Sequence, residues 1–158
     1  MDNFKLISYS KKYKHEVFPD LVPNKLYHRY TNSSLFYRVL SFLNLYRTSL
    51  YLLNNESSNR IIGSIAFRKK LNLKKLKFCW HIYGVAIYEA ERGKGYGRVL
   101  MNYALTWCEK NKIKRVFLKV ASNNIPAIEL YKKMGFLQKT MSKKFVGDIL
   151  FIKELGSA

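Results

Sequence analysis

The stretch LKFCWHIYGVAIYEAERGKGYGRVL, Leu76 to Leu100, decides how this chain folds. Its first half, Leu76 to Tyr88, is a long aromatic and β-branched run, the composition of a central strand. Its second half sets Gly93, Gly95 and Gly97 at alternate positions among Arg92, Lys94 and Arg98. Val99, Leu100, Tyr103, Ala104 and Trp107 then recur on one side of a helix expected over Arg98 to Lys112. A strand running through a glycine-rich turn into a helix aims unpaired N–H groups, and the positive end of the helix dipole, at one point. Glycine there permits positive φ and, lacking Cβ, lets a phosphate approach the backbone. The turn reads as an anion site, since a plain connection does not require three alternate glycines flanked by bases.

Working outward, FKLISY (Phe4 to Tyr9) alternates as a first strand, and a loosely amphipathic region follows to about Tyr46, with Leu35, Val39, Leu40 and Leu43 at helical spacing. SLYLL (Ser49 to Leu53), the polar turn NNESSN and RIIGSIAFRKK (Arg60 to Lys70) form a hairpin, and a turn around Leu71 to Lys75 leads into the central strand. On the other side, RVFLKVA (Arg115 to Ala121) is a strand. Asn124 caps a helix that has Pro126 in its first turn and Gly135 just past its end. Two strands close the chain, Phe136 to Lys143 and Phe145 to Lys153, with Gly147 at a bulge. The order predicts one α/β (α+β) domain over residues 1–158, with a mixed sheet.

Spacing separates the phosphate-binding classes. The P-loop pattern G-x-x-x-x-G-K-S/T is absent, and Gly93, Gly95 and Gly97 do not meet G-x-G-x-x-G. The next strand ends in Ser122 and Asn123, without the acidic residue that holds a ribose. Arg92-Gly93-Lys94-Gly95-Tyr96-Gly97 instead resembles the Q/R-x-x-G-x-G/A pyrophosphate loop of the GNAT superfamily, the GCN5-related N-acetyltransferases. VASNNIPAIELYKKMGF, Val120 to Phe136, resembles that family's second signature, an Asn followed by A-x-x-L-Y and G-F. The resemblance covers about Leu76 to Leu137, and the first half agrees in its order of elements.

The resemblance implies a mostly antiparallel sheet of about seven strands with helices on both faces, splayed at the strand before the glycine loop. It implies acetyl-CoA as cosubstrate and no metal. Gly93 to Arg98, with Arg92, would cradle the pyrophosphate, and Val85, Ala86 and Ile87 would offer main-chain groups to the pantetheine arm. Asn124 would support the cofactor from its helix start, and Tyr131 would stand near the thioester sulfur as the acid for the leaving thiolate. His81 occupies the place where the family commonly carries a catalytic Glu or His, and Tyr83, two residues on, faces the same side of the strand. A half-buried, hydrogen-bonded histidine and a core-facing tyrosine are the plain structural alternatives for His81 and Tyr131. His15 and His28 have no such placement. Enzymes that acetylate ribosomal-protein N-termini typically carry a Glu where this chain has Lys119, which leaves His81, or water chained to Tyr83, as the base.

Composition bounds the partners. Twenty-nine Lys and Arg against ten Asp and Glu give a formal charge of +19. Between Leu21 and Tyr88 the only carboxylate is Glu56. Such an excess favours polyanions, although abundant Lys, Asn, Ile and Tyr is also what an A/T codon bias produces. The excess repels polyamines and aminoglycosides and favours an acidic, phosphorylated or RNA-linked amine, an aminoacyl-tRNA included. The rival class is a nucleic-acid-binding protein on the same fold, using interleaved basic and aromatic residues such as LYHRYTNSSLFYRVL, Leu26 to Leu40. Cys79 and Cys108 sit in no metal or disulfide spacing, so direct transfer is expected. No apolar run reaches membrane length and the start lacks a signal pattern, so a cytoplasmic location is expected. The last strand is expected to be exposed, an edge for pairing two copies into a homodimer.

Overall fold

A computed structural model describes residues 3–13, 46–72, 77–139 and 147–156. In chain order the elements are β1 (Phe4–Ser8), β2 (Tyr46–Asn55), β3 (Arg60–Asn72), β4 (Lys77–Ile87), α1 (Tyr96–Lys110), β5 (Arg115–Ala121), α2 (Ile125–Lys133), β6 (Leu137–Lys139) and β7 (Asp148–Glu154). The helical region expected before Tyr46, with its leucine stripe, lies outside the described residues, as do residues 73–76 and 140–146.

The described strands form one sheet in the order β1-β2-β3-β4-β5-β7-β6. Each neighbouring pair is antiparallel except β4 with β5. The β2–β3 hairpin turns as its polar residues dictate: Asn55 Oδ1 accepts from the N–H groups of Ser57 (3.0 Å) and Ser58 (3.3 Å), and Asn59 takes a positive φ of 49°. The last strand, β7, is not an edge. It lies between β5 and β6, because β6, which comes first in the chain, takes the outer place and β7 fills the gap between it and β5. The pairing surface expected on the last strand is therefore used within the chain, and the sheet ends at the three-residue β6.

Alternation places the core on one face. Val116, Leu118 and Val120 of β5 bury beside Ile82 of β4 and Phe151 of β7, and α1 and α2 both close over this cluster. From α1, Leu100, Met101, Ala104 and Cys108 reach the interior, and Trp107 stacks on Phe67 at 4.2 Å while donating to the Tyr51 hydroxyl at 3.1 Å. A second cluster, Leu50, Leu52, Ile61 and Ala66, buries on the opposite face with Tyr83, Ala86 and Tyr88 against it.

Candidate active site

The parallel pairing of β4 and β5 is short. It joins Trp80, Ile82 and His81 to Val116, Leu118 and Phe117, yet β4 continues to Ile87 and β5 to Ala121. Beyond Ile82 the two strands part, and the expected splay lies just before the glycine loop. Gly84 marks it, with a φ of +62° and a register shift against Ser64 and Ala66. The bulge changes parity: Tyr83 packs with the second cluster, whereas Val85 packs with the first. Tyr88 N–H donates to the Ile62 carbonyl at 3.1 Å, so the strand alternation turns the main-chain groups of Ile87, and of Val85 two residues earlier, away from β3 and towards the opening. Those of Ala86 turn to the ladder with Ser64. Gly63 is needed opposite: a Cβ there would lie 2.6 Å from Ile87 Cδ1 and 2.8 Å from the Ala86 carbonyl oxygen.

After β4, Glu89–Glu91 form a turn of 3-10 helix and the glycines wind into α1. Gly93 and Gly95 take φ values of 80° and 84°, which side chains rarely adopt, and a Cβ at either would meet nothing within 4 Å. Gly95 is the N-cap, with no side chain capping the helix. Arg98 and Val99 donate to the Gly95 carbonyl, which leaves the earlier N–H groups of the first turn directed outward. Around this open end, Arg92 Nε donates to the Ile87 carbonyl at 3.3 Å and Lys94 pairs with Glu91 at 2.9 Å. The Glu91 hydrogen bond, first, raises the Lys94 ammonium above its ordinary range. Arg98 is exposed on the first turn, and Tyr96 packs edge-on against Phe4 at 5.2 Å.

Asn124 caps α2, its Oδ1 accepting from Ala127 N–H at 3.3 Å. The helix approaches the loop through Leu130, whose Cδ2 lies 3.4 Å from where a Gly97 Cβ would stand. Tyr131 is buried, its ring 6.0 Å from Phe151 and 5.9 Å from Phe136. Phe151 pairs with Leu118, the last β5 residue still joined to β4, so Tyr131 stands where the strands part. Burial pushes its phenol up to about 12.

His81 lies on the opposite face of the sheet, stacked on Phe117 at 5.3 Å. Desolvation first, then Arg68, Lys70 and Lys119, lowers its pKa to about 4, so it is neutral at pH 7. Arg68 and Lys70 reach this place because β3 pairs them with His81 and Cys79. The Arg68 guanidinium also covers the Tyr83 ring at 4.1 Å, and the Tyr83 hydroxyl is buried with no hydrogen-bond partner among the described residues. The sequence reading missed this role for Arg68 and Lys70; their i, i+2 spacing beside the central strand was the available signal. Cys108 is buried, and its thiol is pushed up to about 12 by desolvation and then by Glu109, which makes it inert. Among the described residues no group of three or more His, Cys, Asp or Glu is placed to hold a metal ion, and no helix is long and apolar enough to cross a membrane.

A parted β4–β5 pair beside an open, glycine-lined helix start defines a mixed α/β fold with an anion-receiving helix end at the opening of its sheet. The sequence model of the Acetyltransferase (GNAT) family matches residues 14–136, and the chain belongs to that family. It is 37% identical over 70 residues to a spermine/spermidine N(1)-acetyltransferase of Bacillus subtilis, covering 44% of this chain and 45% of that protein. It is 38% identical over 55 residues to a streptothricin acetyltransferase of Streptomyces lavendulae, covering 35% and 29%. The chain spans half or less of the length of the curated relatives it matches. In structure it is similar to spermidine N-acetyltransferase from Vibrio cholerae in complex with CoA and spermine, with a TM-score of 0.70, 16% identity and coverage of 96% and 95%. A GNAT-family acetyltransferase from Staphylococcus aureus gives a TM-score of 0.65 at 16% identity, covering 98% and 100%.

Proposed function

We propose that the protein is an acetyl-CoA-dependent N-acetyltransferase that moves the acetyl group to a primary amine by direct attack while both substrates are bound. The observation that carries this reading is the uncapped start of α1, with Gly93 and Gly95 at positive φ, beside the parted ends of β4 and β5. The N–H groups of that turn, with Arg92, Lys94 and Arg98, hold the pyrophosphate. Val85 and Ile87 turn main-chain groups towards the pantetheine arm, and Asn124 fixes the neighbouring helix start. Acetyl-CoA supplies the activated acyl carbon and a thiol leaving group.

The attacking amine has to be neutral, although a lysine-like amine has a pKa of about 10.4. His81, kept unprotonated at pH 7 by burial and by its cationic neighbours, accepts the amine proton directly or through water held near Tyr83. A main-chain N–H at the end of β4, Val85 or Ile87, donates to the acyl oxygen as it gains charge. Tyr131 approaches from the other face. With its phenol near 12 against a thiol of about 8.5, it stabilises the leaving thiolate by donating a hydrogen bond rather than by losing its proton. Cys108 is too deeply buried to carry an acyl group. Thiol release from acetyl-CoA with primary amines as acceptors tests the reading. It should be measured beside His81→Gln, which is expected to lower kcat by about a hundredfold or more. Release that does not depend on any amine contradicts it.

A further inference from the structure

On the His81 face, a cavity of about 760 Å³ opens between the first residues of β4, the α1–β5 turn and β7. Its lining includes five cations, Lys77, Lys112, Lys114, Arg115 and Lys119, and one carboxylate, Glu154, whose Oε1 lies 2.5 Å from Arg115 Nε. Among the described residues the lining therefore carries a large net positive charge. Its apolar part includes Phe117, on which His81 stacks. His81 lines the same cavity one position before the last β4–β5 pair, so a molecule filling it reaches from the cationic entrance to the point where the strands part.

We propose that this cavity is the acceptor site, and that the acceptor is a small primary amine carrying a carboxylate or phosphate on an apolar or aromatic body. The proposal rests on the acetyltransferase reading above. The anionic group meets the lysines, the apolar body lies along Phe117, and the amine points at His81. In transfer the amine nitrogen bonds to the acetyl carbon and the thioester C–S bond breaks. CoA leaves as the thiolate, and the amine proton passes to His81 and on to solvent. The charge lining selects against polyamines, whose several ammonium groups would meet five cations against the single carboxylate of Glu154 among the described residues. It also links binding to chemistry. Among the described residues, Arg68 and Lys70 from β3 and Lys119 from β5 act on the imidazole, and Arg115 from β5 and Glu154 from β7 line the same cavity, so an anion added here offsets a cationic field and makes His81 a stronger base.

The test is calorimetric titration of CoA-saturated protein with three probes: O-phospho-L-tyrosine, tyramine and spermidine. Saturating CoA removes the glycine loop as a phosphate site. O-phospho-L-tyrosine is expected to bind at least about tenfold tighter than tyramine, with no measurable heat from spermidine, and thiol release from acetyl-CoA should follow the same order. Lys119→Glu and Lys77→Glu should each weaken O-phospho-L-tyrosine by about threefold or more and leave CoA binding unchanged. Tyramine or spermidine binding as tightly, no probe binding at all, or neither variant having an effect overturns the acceptor proposal alone. Failure of CoA itself to bind overturns the acetyltransferase reading beneath it.

Discussion

His81 and Tyr131 stand on opposite faces of the sheet at the parting of β4 and β5, one in a cationic setting and one in an apolar one. Their environments set what each does. His81 titrates near 4 when folded against about 6.5 when unfolded. As pH falls from 6.5 towards 4 the unfolded chain takes up a proton that the folded chain refuses, so stability falls in that window and is untouched by this group above it. Denaturant titrations at pH 7 and pH 4.5 should show a smaller loss for His81→Gln than for the wild type; an equal loss removes His81 from this linkage. Tyr131→Phe should lower kcat by about tenfold to a hundredfold with acetyl-CoA affinity unchanged, since one hydrogen bond to a charged group is worth about 1.5–3 kcal/mol. An unaltered kcat leaves the ring as packing between Phe136 and Phe151 only. The family resemblance singles out both residues, His81 by its place on the strand before the glycine loop and Tyr131 by the A-x-x-L-Y signature on α2. Their electrostatics were not legible, because Arg68, Lys70 and Phe117 come to His81 across strand pairs that lie far apart in the chain.

The elements followed their local chemistry wherever that chemistry is short-range. Asn124 at the head of α2, Gly135 past its end at a φ of 76°, and the Asn55 turn are each determined within a few residues. Asn124→Ala should cost about 1 kcal/mol, measurable by chemical denaturation. The resemblance locates the splay on the strand before the glycine loop, but not the residue at which the ladder ends. The β4–β5 pairing ends at Ile82, just before the bulge at Gly84 and the stretch where Gly63 of β3 comes close to Ala86, and neither glycine carries a motif. Gly63→Ala forces a Cβ against the Ala86 carbonyl and so displaces Val85 and Ile87. Acetyl-CoA affinity should drop by about tenfold or more, with the α1 loop sequence intact. Undiminished affinity would show that these main-chain groups do not hold the donor. The last strand was misjudged for a related reason: local pattern predicts a strand, whereas only the return of the chain between β5 and β6 decides which strand is the edge.

At the scale of the molecule, the formal charge of +19 acquires a location. Arg68, Lys70 and Lys119 act on His81, and five cations line the adjoining cavity among the described residues. A nucleic-acid-binding reading predicts something different: RNA affinity that falls steeply with salt and no uptake of acetyl-CoA. The region Leu26 to Leu40 that suggested it lies outside the described residues. The two readings diverge most directly in calorimetric titration with acetyl-CoA of the wild-type protein and of Gly95→Glu. That substitution puts a negative charge and a side chain on a backbone held at a φ of +84° at the start of α1, with open space around it. Saturable binding by the wild type that disappears in a folded Gly95→Glu is the predicted result; no binding by the wild type, or equal binding by both, contradicts the account.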